Sequence, residues 1–290
     1  MAAMTAFAAN SVLCRIALSH YAMDAYMFTA WRLISGALVL FPLLVWQRKN
    51  MAPWGIKSFL AGLALFAYAV LFSLAYVQLN TATGALLLFA AVQVTMISVG
   101  LAQGSRLPPL QWAGIVLAMG GLLYLLLPTA TGPTLSGAIL MMLSGMAWGA
   151  YSVLGKAEPA PSLATARNFM LAAPLGVIAL LFQGESISLG HPALLLALLS
   201  GGVTSGLGYL LWYRLVKLIP VHHAAVLQLS VPALAALGGV VFAEEVISLQ
   251  MALASGIILT GIFITTQRST EAKQSIGYHP RESILTRELE

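Results

Sequence analysis

Few side chains in this sequence can do chemistry, and those that can sit inside apolar runs. Trp148 and Tyr151 stand one helical turn apart beside Gly145 and Gly149. Small residues at that spacing admit a neighbouring helix, which leaves the rings either as filler or as the wall of a cavity. Tyr68, Phe72 and Tyr76 recur every fourth residue and share one helix face, with Ser73 close by. Such a stripe serves packing, an interfacial belt or a substrate surface. Phe89, Gln93 and Met96 share another face, and the Gln93 amide needs a bonded partner or a wet cavity if it lies in hydrocarbon. Gln228 poses the same question nearer the end of its apolar run, and Asn10 is the repeat partner of Tyr151. The candidate binding residues are therefore Trp148, Tyr151, Gln93, Asn10, Tyr76, Phe89, Tyr68 and Gln228.

The charged residues are as informative. Arg32 lies about 12 Å along its helix from Asp24, at roughly 1.5 Å per residue. A cation at that depth must face protein or snorkel; it either attracts a substrate carboxylate or anchors its helix to headgroups or a carbonyl. Its rough match to Arg167 favours the structural role. For His222 and His223 a loop-end role is favoured over a proton relay. No Asp or Glu falls in the middle of an apolar run, so coupling through a buried carboxylate is not expected. There is no Walker motif, no HExxH and no Ser-His-Asp pattern. The single cysteine, Cys14, excludes an internal disulfide or a cysteine metal cluster. An enzyme is not expected, nor a cofactor or metal. The basic residues sit singly or in pairs, which does not suit a nucleic-acid surface.

The elements that carry these residues follow from composition. Of 290 residues, 60% are hydrophobic and 8% charged, against about 25% charged in an ordinary soluble domain. A soluble fold of this length cannot hide that much apolar surface. Runs of about 20 residues, enough to cross a bilayer as helix, are expected near 2–20, 24–46, 58–78, 81–102, 108–127, 135–156, 163–183, 193–217, 222–242 and 248–266. The fold class is thus an all-α polytopic membrane protein of about ten spans. The first run, Ala2 to Leu18, has no charged flank or cleavage site and reads as a retained helix.

Lys and Arg set the orientation. With the N-terminus in the cytoplasm, every basic residue except Arg15 and Arg32 falls on the inner side, and the outer side receives Asp24, Glu185, Glu244 and Glu245. The chain also repeats. Asn10-Ser11-Val12-Leu13-Cys14-Arg15-Ile16 matches Tyr151-Ser152-Val153-Leu154-Gly155-Lys156-Ala157, and Leu107 and Gly121 match Ile247 and Gly261. Five spans per copy is odd, so the copies must insert in opposite orientation. The expected units are 1–130, 131–267 and a cytoplasmic tail, 268–290. Inverted repeats of this kind suit alternating access about a central cavity within a single chain, so the protein is expected to work as a monomer in a lipid bilayer on a small-molecule substrate.

These residues resemble the EamA family of the drug/metabolite transporter superfamily. The half-repeat of that family opens with a helix like Trp148-Gly149-Ala150-Tyr151-Ser152-Val153-Leu154-Gly155-Lys156. It closes with a proline, a Gly-Glu turn and a helix of spaced small residues, here Pro232, Glu244-Glu245-Val246-Ile247-Ser248, and Ser255, Gly256 and Gly261. The first half departs from the pattern: Phe7-Ala8 stands for Trp-Gly, Val92 for Pro, and Gly104-Ser105-Arg106-Leu107-Pro108 lacks the Glu. Within the family the chain looks most like the YddG-type amino-acid exporters, which place an aromatic of the cavity at the position of Trp148. The resemblance implies ten helices, both termini cytoplasmic, a bacterial inner-membrane location and export of small metabolites, amino acids first. A facilitator or channel for another substrate class is the alternative.

Overall fold

The computed structural model describes residues 1–46, 55–104, 107–127, 132–156, 158–183, 191–216, 227–228 and 230–266. Arg48, Lys49, Arg106, His222, His223 and the tail from 267 lie outside the described residues. Among those described, all regular structure is helical. The helices are α1 (Ala2–Ser19), α2 (Ala25–Trp46), α3 (Ile56–Gln78), α4 (Thr81–Ala102), α5 (Pro109–Leu125), α6 (Leu135–Lys156) and α7 (Pro161–Ala179, extended by a 3₁₀ turn). They continue with α8, 191–216, then α9 (Ser230–Phe242) and α10 (Leu249–Thr266). Seven of these are long and apolar enough to cross a membrane, and α5, α9 and α10 are shorter apolar helices. The runs read from sequence agree to within a few residues; the expected start of the ninth, near 222, lies outside the described residues, and 227–228 are helical.

Local chemistry sets the ends. Asp24 caps α2 by accepting from the Tyr26 and Met27 amides at 2.9 and 3.0 Å, and Asn80 caps α4 through the Thr83 amide. Each satisfies donors that the first helical turn leaves open. Pro109 and Pro161 open α5 and α7, where a missing N–H costs nothing. Pro42 and Pro174 lie within α2 and α7, as membrane helices tolerate.

Burial is inverted relative to a water-soluble protein. Leu38, Phe41, Val45 and Trp46 of α2 are exposed, whereas Thr29, Arg32 and Ser35 of the same helix are buried. The polar groups bond between helices: Thr29 Oγ1 donates to Ser73 Oγ at 2.8 Å, and Ser144 Oγ to the Tyr68 carbonyl at 2.9 Å.

Packing follows a regular scheme. α3 lies on α6 and α8 on α1; α4 lies on α6 and α9 on α1; α3 lies on α7 and α8 on α2. The pairs α2 with α7, α4 with α9 and α5 with α10 complete it. Exchanging each helix for the one five places on therefore returns the same set for these main pairs. Close approach is bought by small residues: a Cβ on Gly145 would meet the Leu88 carbonyl of α4, and one on Gly201 would collide with the Arg32 carbonyl of α2.

Candidate functional site

The site is built where α1, α3, α6 and α8 converge. Trp148 of α6 is its centre. Its ring lies 4.8 Å from Tyr68 of α3, 4.8 Å from Tyr209 of α8 and 6.4 Å from Phe7 of α1, centroid to centroid. Tyr151, one turn on, is 5.3 Å away with its ring plane tilted by 35°. Phe7 also meets Tyr209 and Trp212 edge-on. Tilted and edge-to-face pairs at these distances are the favoured ring arrangements, each worth about 0.5–1.5 kcal/mol beyond burial. The rings enclose a cavity of ≈ 20 Å³ lined by Phe7, Asn10, Ser11, Tyr68, Phe72, Leu88, Phe89, Trp148 and Tyr209. That is room for about one water molecule.

A polar ring closes one side of the cavity. Arg32 of α2 donates from Nη2 to the Tyr68 hydroxyl at 3.0 Å and from Nε to Ser205 Oγ at 3.2 Å. Ser205 Oγ donates on to Asn10 Oδ1 at 3.5 Å, and Asn10 Nδ2 returns to the Tyr68 hydroxyl at 3.5 Å. Ser200 and Thr204 also donate to Asn10 Oδ1, at 2.6 and 3.3 Å. The three hydroxyls come from Ser200–Leu207, where α8 widens into a π-helix. Such a widening turns side chains away from their α-helical directions and is frequent at functional positions. The glycines there bring it against the α2 backbone at Arg32.

Of the residues singled out from sequence, Asn10, Tyr68, Phe89 and Trp148 line this cavity, and Tyr151 packs against Trp148 at a tilt. Tyr76 does not reach it. Its ring packs edge-on against Phe72, covers Gly84, and its hydroxyl bonds the Thr81 carbonyl. Gln93 lies apart, in a lateral gap among Ile97, Ile115, Ala118 and Ile262. Gln228, half-buried ahead of α9, is outside the lining as well. Arg32 does not reach out of the protein: it is 1% exposed and bonded to side chains.

Sequence reading missed Phe7, Tyr209 and the hydroxyls of α8. A signal existed for two of them. Phe7 occupies the repeat position of Trp148, and the run Ser200-Gly201-Gly202-Val203-Thr204-Ser205-Gly206 is dense in small and polar residues for a helix in hydrocarbon. Tyr209 carried no local signal.

The model of the EamA-like transporter family matches residues 1–127 and 135–267. The chain belongs to that family. EamA proteins fall within the drug/metabolite transporter superfamily, and this one is a multi-pass membrane protein. It is 47% identical over 260 residues to an uncharacterized protein of Pseudomonas aeruginosa, covering 90% of each chain. It is 24% identical to the uncharacterized transporter YoaV of Bacillus subtilis, over 83% of this chain and 86% of that one. An uncharacterized transporter of Archaeoglobus fulgidus is 23% identical, over 91% and 95%. A solved crystal structure, 21% identical, superposes with a TM-score of 0.64 over 91% of this chain and 96% of its own; that likeness establishes the fold. EamA membership makes the protein a membrane transporter.

Proposed function

We propose that this EamA transporter exports small metabolites, apolar and aromatic amino acids among them, by alternating access about the Trp148 cavity. The observation that carries the reading is the convergence of Phe7, Tyr68, Trp148 and Tyr209 around a cavity closed by the Arg32–Tyr68–Asn10–Ser205 ring. Flat rings with a few polar donors suit molecules having an apolar body and a polar end. Trp148, Tyr68, Asn10, Phe89 and Tyr151 carry the substrate contacts in this reading. Tyr76, Gln93 and Gln228 take secondary places, Tyr76 by holding Phe72.

The units 1–130 and 131–267 act as inverted five-helix repeats, and the helix-pair scheme that survives exchange of each helix with the one five places on supports this. Two such halves give inward- and outward-facing states of similar energy. A cavity with room for about one water is then the contracted form between those states. Both termini lie in the cytoplasm of a bacterial inner membrane, on the strength of the Lys and Arg distribution. One chain suffices for transport.

Counterflow in proteoliposomes tests the function. Vesicles loaded with unlabelled phenylalanine, leucine or tryptophan should accumulate the labelled external amino acid transiently and saturably, as exchange by a carrier requires. Linear, non-saturating flux without counterflow, or no flux for any of the three, would overturn the reading.

A further inference from the structure

We propose that Arg32, Tyr68 and Tyr209 form an anion site and that the transported molecule is held there by a carboxylate group. The proposal rests on the Trp148 cavity being the substrate site and adds the chemical class of the substrate.

Charge accounting comes first. Three arginine side chains of the helices can be traced to their partners. Arg15 pairs with Glu245 at 3.1 Å and Arg167 with Glu158 at 3.2 Å. Arg32, 1% exposed, meets no carboxylate among the described residues. Its bonds go to neutral hydroxyls, and its guanidinium carbon stands 5.0 Å from the ring centroids of both Tyr68 and Phe72. Rings and hydroxyls stabilise a cation only in part; buried charges are as a rule matched by an opposite one. No described carboxylate balances the Arg32 charge.

Donor accounting gives the same answer independently. Arg32 Nη1 is buried without a hydrogen-bond partner. The Tyr68 oxygen accepts from both Arg32 and Asn10, and its hydroxyl lies against that of Tyr209. The Tyr209 hydroxyl is buried beside that of Tyr68 and makes no well-formed hydrogen bond. Acceptors are already used: Asn10 Oδ1 receives three hydroxyls, and Ser205 Oγ both accepts and donates. Tyr68 and Tyr209 line the cavity and Arg32 stands behind Tyr68, so the site offers Arg32 Nη1, one phenolic proton of the Tyr68–Tyr209 pair and a positive charge that no described carboxylate balances.

A carboxylate supplies the complement, two oxygens with about four acceptor positions and one negative charge, in the plane a guanidinium edge matches. A phosphate monoester would bring nearly two negative charges against a single cation. Among the described residues no carboxylate lines the cavity to receive an ammonium, so an amine on the substrate finds ring faces and neutral polar groups such as Ser11. Recognition therefore rests on the acid, with Trp148, Phe7 and Tyr209 around the apolar part. The ligand enters when the halves part and the cavity widens.

The test is competition against phenylalanine counterflow by molecules of one skeleton. 3-Phenylpropionate, which keeps the acid and lacks the amine, should compete within a few-fold of phenylalanine. Phenethylamine, which lacks the acid, and phenylalanine methyl ester should be weaker by about tenfold or more, as loss of a charged hydrogen bond implies. The Arg32→Gln protein should lose that preference, and Arg32→Lys should keep it at reduced affinity. Thermal unfolding shows whether either variant folds; if neither does, the analogue series on the unaltered protein decides. Amine and ester competing as well as the acids would overturn the anion site while leaving the transport reading intact. Absence of any phenylalanine counterflow would overturn both.

Discussion

Phe7 and Trp148 meet edge to face, ring centroids 6.4 Å apart and planes at 75°. In sequence they hold corresponding places at the openings of the two halves, Phe7-Ala8 and Trp148-Gly149. The residues that mark the repeat in one dimension are therefore in contact in three. A two-half carrier needs its site at the seam where equivalent helices face each other, because only there do both halves' motions change its access.

Trp148 touches Phe7, Tyr68, Tyr151 and Tyr209, so its removal acts on both binding and packing. Trp148→Ala should lower counterflow tenfold or more and cost about 3 kcal/mol of stability, the usual scale for losing a packed aromatic. Trp148→Phe keeps a ring and should restore most of the stability but only part of the flux. The two are read by thermal unfolding in detergent and by proteoliposome exchange. Equal recovery of both would mean that Trp148 serves packing alone.

Gly201 separates α8 from the Arg32 carbonyl, while nothing lies near a Cβ placed on Gly256 of α10. Gly201→Ala should destabilise by about 1–3 kcal/mol through overpacking and displace the Ser200–Leu207 hydroxyls from Asn10. Gly256→Ala should be neutral or gain up to about 1 kcal/mol from helix propensity. Unfolding midpoints of the pair check the contrast.

Glu245 ties four elements together. It pairs with Arg15 of α1, accepts the Thr81 amide at the start of α4, and follows α9, while Arg15 also donates to the Tyr76 and Val77 carbonyls of α3. Glu245→Gln should cost about 1–2 kcal/mol, the scale of a partly exposed charged hydrogen bond, and raise proteolytic nicking between α9 and α10. An unchanged nicking rate and melting temperature would show the link to be idle.

The described carboxylates that make contacts do so at helix ends, Asp24 as a cap and Glu158 and Glu245 in ion pairs. None lines the Trp148 cavity. Counterflow of zwitterionic amino acids should therefore change less than about twofold when an imposed pH gradient is collapsed at fixed substrate concentrations. A several-fold fall would assign proton coupling to a group elsewhere.

The helices were legible because hydrophobic runs bounded by Pro, Gly and charge are the dominant signal in a membrane chain. Half of the candidate site was legible too. Trp148, Tyr68 and Asn10 stood out as polar or aromatic groups with small neighbours. Tyr76 and Gln93 stood out for the same reason yet lie elsewhere, because a helix face seen in sequence does not say which neighbour it meets: Tyr76 turns to Gly84, and Gln93 to α5 and α10. Arg32 was assigned a structural role from its match to Arg167. What separates the two is tertiary, since Arg167 has Glu158 beside it and Arg32 has only hydroxyls and rings. The π-helical stretch of α8 depends on packing against α2 and has no single-residue signature.

The most direct measurement places a reporter in the cavity wall with little change of shape. Ser11 lines the cavity and is 2% exposed, and Cys14 is the chain's single cysteine. A protein carrying Ser11→Cys and Cys14→Ser should transport phenylalanine and react slowly with a small, membrane-permeant thiol reagent. Phenylalanine should slow that labelling saturably, with half-protection at the concentration that half-saturates counterflow. Labelling that ignores phenylalanine in a variant that still transports it would contradict the account and put the substrate site away from Trp148.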